Sequence, residues 1–229
     1  SVIRSKKLLS YVPDLKEMKG IANAKRAMKI AIAGGHNILL VGPPGQGKTM
    51  LAKAATALLP DLNKSEILDV NKIYSAAGIL AGNEIVQKRP YQEIQNTATT
   101  AAVFGAGRPY PRPGLVSLAH RGILFFDEIN LSNPQLVDQL RSVLSNGRIE
   151  VQRAAGSLEY PANVIFVAAM NPCKCGWHFH YYCPKCKFTS LDQSHKCSRH
   201  PNAALKKKCT CSHSQIEQYQ KKISGPMLD

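Results

Sequence analysis

The sequence predicts an α/β fold, in which a parallel sheet is flanked by helices. Three apolar runs, at 38–41, 123–126 and 163–170, show little polar alternation, which is typical of strands buried on both faces of a parallel sheet. Apolar residues recur at helical spacing in four further stretches: 20–33, 48–59, 64–77 and 132–145. Strands that alternate with helices along the chain indicate an α/β architecture.

A phosphate-binding motif follows the first apolar run. Residues 42–49 read Gly-Pro-Pro-Gly-Gln-Gly-Lys-Thr and fit G-x-x-x-x-G-K-[ST], between a predicted strand and a predicted helix. In such a loop, backbone N–H groups surround the phosphates, Lys48 reaches the β- and γ-phosphates, and the Thr49 hydroxyl binds Mg²⁺. The predicted nucleotide contacts in this loop are Gly42, Pro43, Pro44, Gly45, Gln46, Gly47, Lys48, Thr49 and Met50.

Polar residues end the other two apolar runs. Asp127 and Glu128 come directly after 123–126, and Asn171 follows 163–170. A carboxylate at the carboxyl edge of a parallel sheet can hold Mg²⁺ through its water shell, which is the role predicted for Asp127. Glu128 would act as general base on the attacking water, and Asn171 would lie beside the γ-phosphate if its strand neighbours the other two. Any strand can end in acids, so Asp127 and Glu128 gain meaning from the phosphate loop 78 residues earlier.

The composition bounds the class of protein and its partners. With 44% hydrophobic and 20% charged residues, the chain is not of disordered composition. It holds no apolar run of about 18 residues and no apolar segment of the signal-peptide kind near Ser1, so we expect a cytoplasmic protein without a membrane partner. The net charge of +15 favours a polyanionic partner, with nucleic acid the first candidate. A solvated basic surface is the alternative.

Two segments are candidates for nucleic-acid contact. Residues 148–153 and 157–160 alternate around a short turn and predict a β-hairpin, with Arg148 and Arg153 at its flanks. The segment 78–114 reads as irregular, and its Arg89-Pro90-Tyr91 cluster could touch nucleic acid or belong to a plain loop. A simple surface hairpin is the alternative for the first segment.

These motifs together resemble the AAA+ ATPases, and more closely the magnesium-chelatase ATPase-subunit (ChlI-like) family in its ComM/YifB branch. The resemblance covers about residues 14–229 and is carried by the segments 33–37, 42–52, 112–114, 117–120, 153–157, 168–173 and 224–229. It implies that Lys48 and Thr49 form Walker A, Asp127 and Glu128 Walker B, and Asn171 sensor 1. The hairpin would then face a central pore, as in related ring motors. Branch members carry a His-His pair where this chain has Gln95-Asn96-Thr97, so the role of that segment is open.

The seven cysteines form a cluster between Cys173 and Cys211 and, being odd in number, cannot all pair as disulfides. One group has the C-x₂-C…C-x₂-H spacing of a small tetrahedral zinc site: Cys183, Cys186, Cys197 and His200. A second C-x-C…C-x-C group flanks it and has counterparts in the resembled branch: Cys173, Cys175, Cys209 and Cys211. Two Zn²⁺ sites are the preferred interpretation, and free thiols or one shared zinc with spare cysteines are the alternatives.

The resemblance implies an arrangement of four parts: 1–19 an N-terminal arm, 20–172 the AAA+ core, 173–211 the zinc-binding insertion and 212–229 a helical return to the core. Family members continue with an arginine finger, a fifth strand and a helical lid. We therefore expect this sequence to lack those parts and to hydrolyse ATP weakly by itself, since such a finger contributes roughly 10³–10⁵ in rate.

The function implied is an Mg²⁺-dependent ATPase motor, a homo-hexameric ring acting on DNA in branch migration. Two alternatives are a chelatase-type motor that remodels a protein partner, and a nucleotide-gated assembly module without turnover.

Overall fold

The structure is a computed structural model that describes residues 12–80, 82, 84–107, 110–153, 156–178, 181–182, 185, 189–190, 200 and 206–222. The chain divides into two compact units, Ser1–Leu40 with Gly47–Ala169, and Val41–Gln46 with Met170–Asp229. Among the described residues, helices that are both long and apolar enough to cross a membrane are absent.

The predicted strands, helices and hairpin occur in the predicted order, with further short elements between them. The helices are α1 (Ala22–Gly34), α2 (Lys48–Ala55), α3 (Lys64–Ala76), α4 (Thr100–Phe104), α5 (Leu115–Leu118), α6 (Pro134–Asn146) and α7 (His213–Gln220). The strands are β1 (Ile38–Val41), β2 (Tyr91–Ile94), β3 (Gly105–Ala106), β4 (Arg112–Pro113), β5 (Ile123–Phe126), β6 (Arg148–Arg153), β7 (Gly156–Pro161), β8 (Ile165–Met170), β9 (Tyr181–Tyr182), β10 (Thr189–Ser190) and β11 (Lys206–Lys207). The α/β fold with a parallel sheet, flanking helices and an inserted hairpin is confirmed.

The main sheet has the strand order β1-β8-β5-β2. The central strand β5 pairs in parallel with both β8 and β2, and all four of its residues are buried. Strand β2 lies in the segment 78–114 that the sequence reads as irregular, so that interpretation is wrong for Tyr91–Ile94. It is also wrong for α4 and for the short strands β3 and β4, which lie in the same segment. The sheet order also meets the condition set for Asn171, because β8 lies between β1 and β5.

The core of the first unit joins this sheet to the first two helices. Phe125 of β5 and Val167 of β8 are fully buried, together with Met28 of α1 and Leu51 of α2. Burial of side chains of this size contributes roughly 1.5–3 kcal/mol each, which fixes α2 against the sheet.

Short-range signals set the helix ends. Gly35 follows α1 in the left-handed conformation, with φ of 66°, and its N–H donates to carbonyls of the last turn. Helix α3 begins with a capping box, in which Asn63 and Glu66 each accept a hydrogen bond from the other's backbone N–H. Asn133 caps α6, and Pro134 occupies its first turn.

The hairpin predicted from the alternating pattern is present. Strands β6 and β7 pair antiparallel from Arg148–Pro161 to Arg153–Gly156. The hydroxyl of the buried Tyr160 donates to the carbonyl of Pro111 at 3.0 Å, which ties the base of the hairpin to the segment before α5.

The second unit contains a small antiparallel sheet of order β10-β9-β11 and the helix α7. Ser212 and Gln215 form a capping box at the start of α7. Gln220, at the end of the helix, donates to the carbonyl of Pro172 at 3.1 Å and so fixes the segment that follows β8.

Candidate nucleotide and metal sites

The start of α2 has the geometry of an anion-binding site. Gly45 and Gly47 have φ of 75° and 76°, in the left-handed region that favours glycine. The loop therefore turns sharply into α2, whose first turn has no side-chain cap. Backbone N–H groups at such an end can donate to phosphate oxygens, and the positive end of the helix dipole adds to the attraction.

Thr49 and Asp127 approach each other across the first unit. The Thr49 hydroxyl donates to Oδ2 of Asp127 at 3.2 Å. Asp127 is held by its own N–H, which donates to the carbonyl of Ile94 at 3.1 Å. A hydroxyl beside a carboxylate is the oxygen donor set that Mg²⁺ takes in phosphate sites. The two residues predicted for magnesium are thus brought together, and their donor types fit that ion.

Lys48 lies next to the same acids. Burial lowers the pKa of its ammonium group, and the charges of Asp127 and Glu128 oppose this shift. A half-buried lysine that is poorly solvated gains more from a triphosphate than a solvated one, because less hydration is lost on binding.

Glu128 is held in an unusual backbone conformation. Its φ is 49°, a left-handed value uncommon for residues other than glycine, and its N–H donates to Oδ1 of Asp127 at 3.0 Å. Its Oε2 accepts a hydrogen bond from Nδ2 of Asn96 at 2.8 Å. Strain of this kind, held in place by specific contacts, is common at functional sites.

Asn96 is a functional candidate that the sequence reasoning missed. It lies two residues beyond β2, and β2 pairs with β5 so that Ile94 is level with Phe126. That register carries Asn96 to the level of Glu128. The signal in the sequence was an amide where related chains carry histidine, but its meaning depends on a strand that was not predicted.

The second unit holds the first part of the phosphate loop and the residues that follow β8. The N–H of Gly42 donates to the carbonyl of Met170 at 3.2 Å. Pro43 is buried, whereas Pro44, Gly45 and Gln46 are exposed. Asn171 is half-buried and comes directly after β8.

Four of the seven cysteines converge in this unit. The ligand atoms of Cys173, Cys175, Cys209 and Cys211 all lie within 4.8 Å of one another. The sulfur of Cys173 is 3.3 Å from that of Cys175 and 3.7 Å from that of Cys209, and the last two are 3.5 Å apart. Tetrahedral zinc with Zn–S bonds of about 2.3 Å separates its sulfurs by about 3.8 Å. The residues present therefore fit a zinc ion.

The surroundings of these thiols differ from one another. At Cys175, burial opposes ionisation, but hydrogen bonds from the N–H groups of Thr210 and Trp177 and from neighbouring thiols lower the pKa to about 6. Burial raises the pKa of Cys209 to about 12. A metal ion binds the deprotonated form, so it must displace a proton from Cys209.

The structure describes only part of the inner zinc set and of the hairpin arginines. Cys183, Cys186 and Cys197 lie outside the described residues, and His200 is half-buried. On the hairpin, Arg148 forms an exposed ion pair with Glu159 at 3.3 Å. Arg153 is the last residue of the same strand, β6.

The cluster Arg89-Pro90-Tyr91, a candidate for nucleic-acid contact, is mostly buried at its arginine. The Arg89 guanidinium donates to the carbonyls of Pro60 and Arg121 and pairs with Glu66 at 3.2 Å, and its side chain is only 14% exposed. Tyr91 lies in β2 and is half-buried. The interpretation of Arg89 as a nucleic-acid contact is therefore wrong, because its charge is used inside the chain.

Comparisons with known proteins agree with this geometry. The family model for magnesium chelatase, subunit ChlI, matches residues 14–199. YifB of Escherichia coli is 36% identical over 216 residues, and the competence protein ComM of Haemophilus influenzae is 36% identical over 220 residues. Both alignments cover 94% of this chain and 37% of the relative. The chain thus spans little more than a third of the length of these relatives.

A solved structure gives the same result at the level of the fold. The complex of the BchI and BchD subunits of magnesium chelatase contains a chain that is 28% identical, with a TM-score of 0.53 over 65% of this chain and 51% of that one. The magnesium-chelatase 38 kDa subunit of Acidiphilium rubrum is 33% identical over 173 residues, which cover 64% of this chain and 49% of the subunit. The chain belongs to the magnesium chelatase ChlI-subunit family of AAA+ ATPases, in the branch that includes YifB and ComM.

Proposed function

We propose that this chain binds and hydrolyses ATP as part of a DNA-acting ring motor of the ComM type. The observation that carries the proposal is the convergence of Lys48, Thr49, Asp127 and Glu128 at the carboxyl end of β5 and the start of α2. Each of these residues has the chemistry that phosphoryl transfer to water requires.

The roles follow from position. Residues 45–47 and the start of α2 donate backbone N–H groups to the phosphates, and Lys48 neutralises negative charge on the β- and γ-phosphates. Glu128 accepts the proton of the attacking water, and Asn96 holds its carboxylate in place. Asn171 would orient the same water. Mg²⁺, held by the Thr49 hydroxyl and by Asp127 through water, would supply positive charge to the phosphate oxygens.

We also propose Zn²⁺ as the occupant of the four-cysteine cluster. Four thiolates with this spacing form a closed structural site, and a structural zinc ion contributes to folding rather than to chemistry. The inner set of Cys183, Cys186, Cys197 and His200 is proposed as a second site on its spacing alone. Elemental analysis giving close to two zinc ions per chain supports both sites, one supports a single shared site, and none contradicts both.

The test of the ATPase proposal is nucleotide binding followed by turnover. Lys48→Ala should abolish binding of a fluorescent ATP analogue. Lys53→Ala is the matched control, since Lys53 lies on the same helix and pairs with Glu93 on the sheet. Glu128→Gln should keep nucleotide affinity and lower kcat by about 10²–10⁴-fold. Undiminished binding by Lys48→Ala would contradict the site, and binding without turnover in the protein that carries the whole motor would favour an assembly module.

The proposal of DNA as the partner rests on charge and on the resemblance to the ComM branch. The chain carries 30 basic and 15 acidic residues, and the exposed Arg148 stands on the hairpin. DNA affinity should fall steeply with salt, because neutralised phosphates release their counterions. A paired change, Arg148→Glu with Arg153→Glu, should weaken binding, whereas Arg141→Glu on the exposed side of α6 should not. Salt-independent or absent binding at low salt with ATP present contradicts this proposal.

A motor acting on a protein partner is the second candidate, and the likeness to the BchI–BchD complex favours it. In this case a partner protein, and not DNA, should stimulate turnover. A homo-hexameric ring and a cytoplasmic location are proposed for either motor. Sedimentation of the full protein with and without ATP tests the first of these.

A further inference from the structure

The turn that begins the four-cysteine cluster packs on the phosphate loop. Gly176 closes the turn that starts at Cys173, and its N–H donates to the Cys173 carbonyl at 2.9 Å. Gly176 is buried and has φ of 81°. A Cβ added there would lie 3.3 Å from Cγ of Pro44 and only 2.6 Å from its Cδ, and the second distance is closer than a Cβ approaches another atom. The backbone of the cysteine turn therefore rests directly on the third residue of the phosphate loop.

A second contact ties the same two segments together. The Gly42 N–H donates to the carbonyl of Met170, three residues before Cys173. The segment 170–176 thus touches the phosphate loop near its start and again at Pro44. The residue between these two loop contacts, Pro43, is buried, and both prolines restrict their own backbone. A movement of the segment 170–176 is therefore expected to move the phosphate loop as well, and the reverse.

The sulfur of Cys173 lies at the start of the turn and contacts the other cysteines of the cluster. Cys173 is completely buried, and its sulfur accepts a hydrogen bond from the His178 N–H at 3.3 Å. The sulfurs of Cys173, Cys175 and Cys209 lie 3.3–3.7 Å apart. A metal ion would hold the four sulfurs by coordinate bonds, whereas without it only weak hydrogen bonds between thiols join them. Loss of the metal is therefore expected to open the turn and to remove the support under Pro44.

We infer that the four-cysteine cluster and the phosphate loop are coupled: metal bound by the cluster strengthens nucleotide binding, and nucleotide strengthens metal binding. The coupling is mutual because binding free energies are linked, so each ligand must change the affinity for the other by the same factor. Couplings between sites in proteins typically change the binding affinity by about 5- to 150-fold. The inference rests on the proposed nucleotide and zinc sites and adds their dependence on each other.

The first experiment measures both directions in the unaltered chain. Affinity for a fluorescent ATP analogue is measured with Zn²⁺ bound and after removal of Zn²⁺ by a chelator. Zinc affinity is measured by competition with a chromogenic chelator, with and without ADP. The zinc that belongs to this cluster is the one that Cys211→Ser releases. We expect the two factors to agree and to be at least about 5-fold.

The second experiment separates the contact from the metal. Gly176→Ala keeps all four cysteines but forces the turn away from Pro44. It should bind one zinc ion in the cluster, bind nucleotide about 10-fold more weakly, and show no effect of ADP on zinc affinity. Gly78→Ala is the matched control, because Gly78 has φ of 71° with no atom within 4 Å of an added Cβ. It carries the same backbone strain and should behave as the unaltered chain.

The outcomes distinguish the inference from the proposals beneath it. Normal nucleotide binding that is indifferent to zinc, with zinc affinity indifferent to ADP, overturns the coupling and leaves the ATPase proposal intact. Absence of nucleotide binding under every metal condition overturns both. If the chain unfolds on removal of zinc, ADP raises zinc affinity through folding alone. The comparison of nucleotide affinity between Gly176→Ala and Gly78→Ala, both with zinc bound, then decides.

Discussion

His120 gives this chain a measurable acid sensitivity of folding. The side chain is 4% exposed, and its Nδ1 accepts a hydrogen bond from the Asn163 N–H at 3.1 Å. Burial, together with the charge of Arg121, lowers the pKa of the imidazole from 6.5 to about 4, against the opposing charges of Asp69 and Glu66. The neutral ring is therefore the form that fits the folded chain.

The pH dependence of the free energy of unfolding follows from the difference in the pKa of His120 between the folded and the unfolded chain. The pKa is lower in the folded chain than in the unfolded one, so acidification protonates the unfolded chain first. The contribution of His120 to the free energy of unfolding is complete above pH 6.5 and is lost as the pH falls towards about 4. Each pH unit between the two pKa values corresponds to about 1.4 kcal/mol, which gives a loss of about 3 kcal/mol.

The assay is urea unfolding from pH 4 to pH 8, on the unaltered chain and on His120→Gln. Glutamine keeps a hydrogen-bond acceptor for Asn163 but does not titrate in this range. Carboxylates elsewhere and release of metal affect both proteins, so the difference between the two unfolding free energies isolates His120. That difference should change by about 3 kcal/mol below pH 6.5 and stay level above pH 7. A difference that is constant from pH 4 to pH 8 would refute the reasoning.

Two substitutions test contacts that only the structure revealed. Asn96→Ala removes the hydrogen bond to the Glu128 carboxylate; such bonds to charged groups contribute about 1.5–3 kcal/mol, so kcat should fall about 10- to 100-fold with nucleotide affinity unchanged. Equal losses in kcat and in affinity would show a general disturbance of the site. Arg89→Ala leaves the carbonyls of Pro60 and Arg121 without their donor and should lower the free energy of unfolding by about 2 kcal/mol with no change in DNA affinity. A fall in DNA affinity at unchanged stability would restore Arg89 as a nucleic-acid contact.

The strands that could be predicted from the sequence are those whose burial requires an uninterrupted run of apolar residues. Residues of β5 and β8 are buried on both faces, so their apolar runs are uninterrupted and easily read. Strand β2 has the sequence Tyr-Gln-Glu-Ile, and only its last residue is buried. It lies at the end of the strand order, where side chains reach solvent and the apolar pattern fades. For this reason its segment was read as irregular.

The residues of the nucleotide site also fall into those that the sequence predicted and those that it did not. Lys48, Thr49 and Asp127 were predicted because the chemistry of phosphate and magnesium allows few other residue types at those places. Asn96 was missed because its role depends on the register between β2 and β5, a long-range pairing without a local signal. The use of Arg89 depends likewise on Glu66, 23 residues earlier.

The four-cysteine cluster was found without any knowledge of the fold. Two C-x-C pairs, together with similar pairs in the resembled branch, indicated one site although 33 residues separate Cys175 from Cys209. The structure brings all four sulfurs within 4.8 Å. The inner set lies mostly outside the described residues and stays a prediction.

The position of the cluster in the chain has a physical consequence for the nucleotide site. Asn171 and Cys173 are two residues apart at the end of β8, so the amide proposed to orient water and the first proposed zinc ligand share one short segment. That segment is fixed by Gln220 at the Pro172 carbonyl and by Gly176 against Pro44. A shift of the segment 171–176 is therefore expected to move Asn171, Pro44 or both. The zinc ion proposed for the four cysteines would hold Cys173 in place and, through this segment, both Asn171 and Pro44.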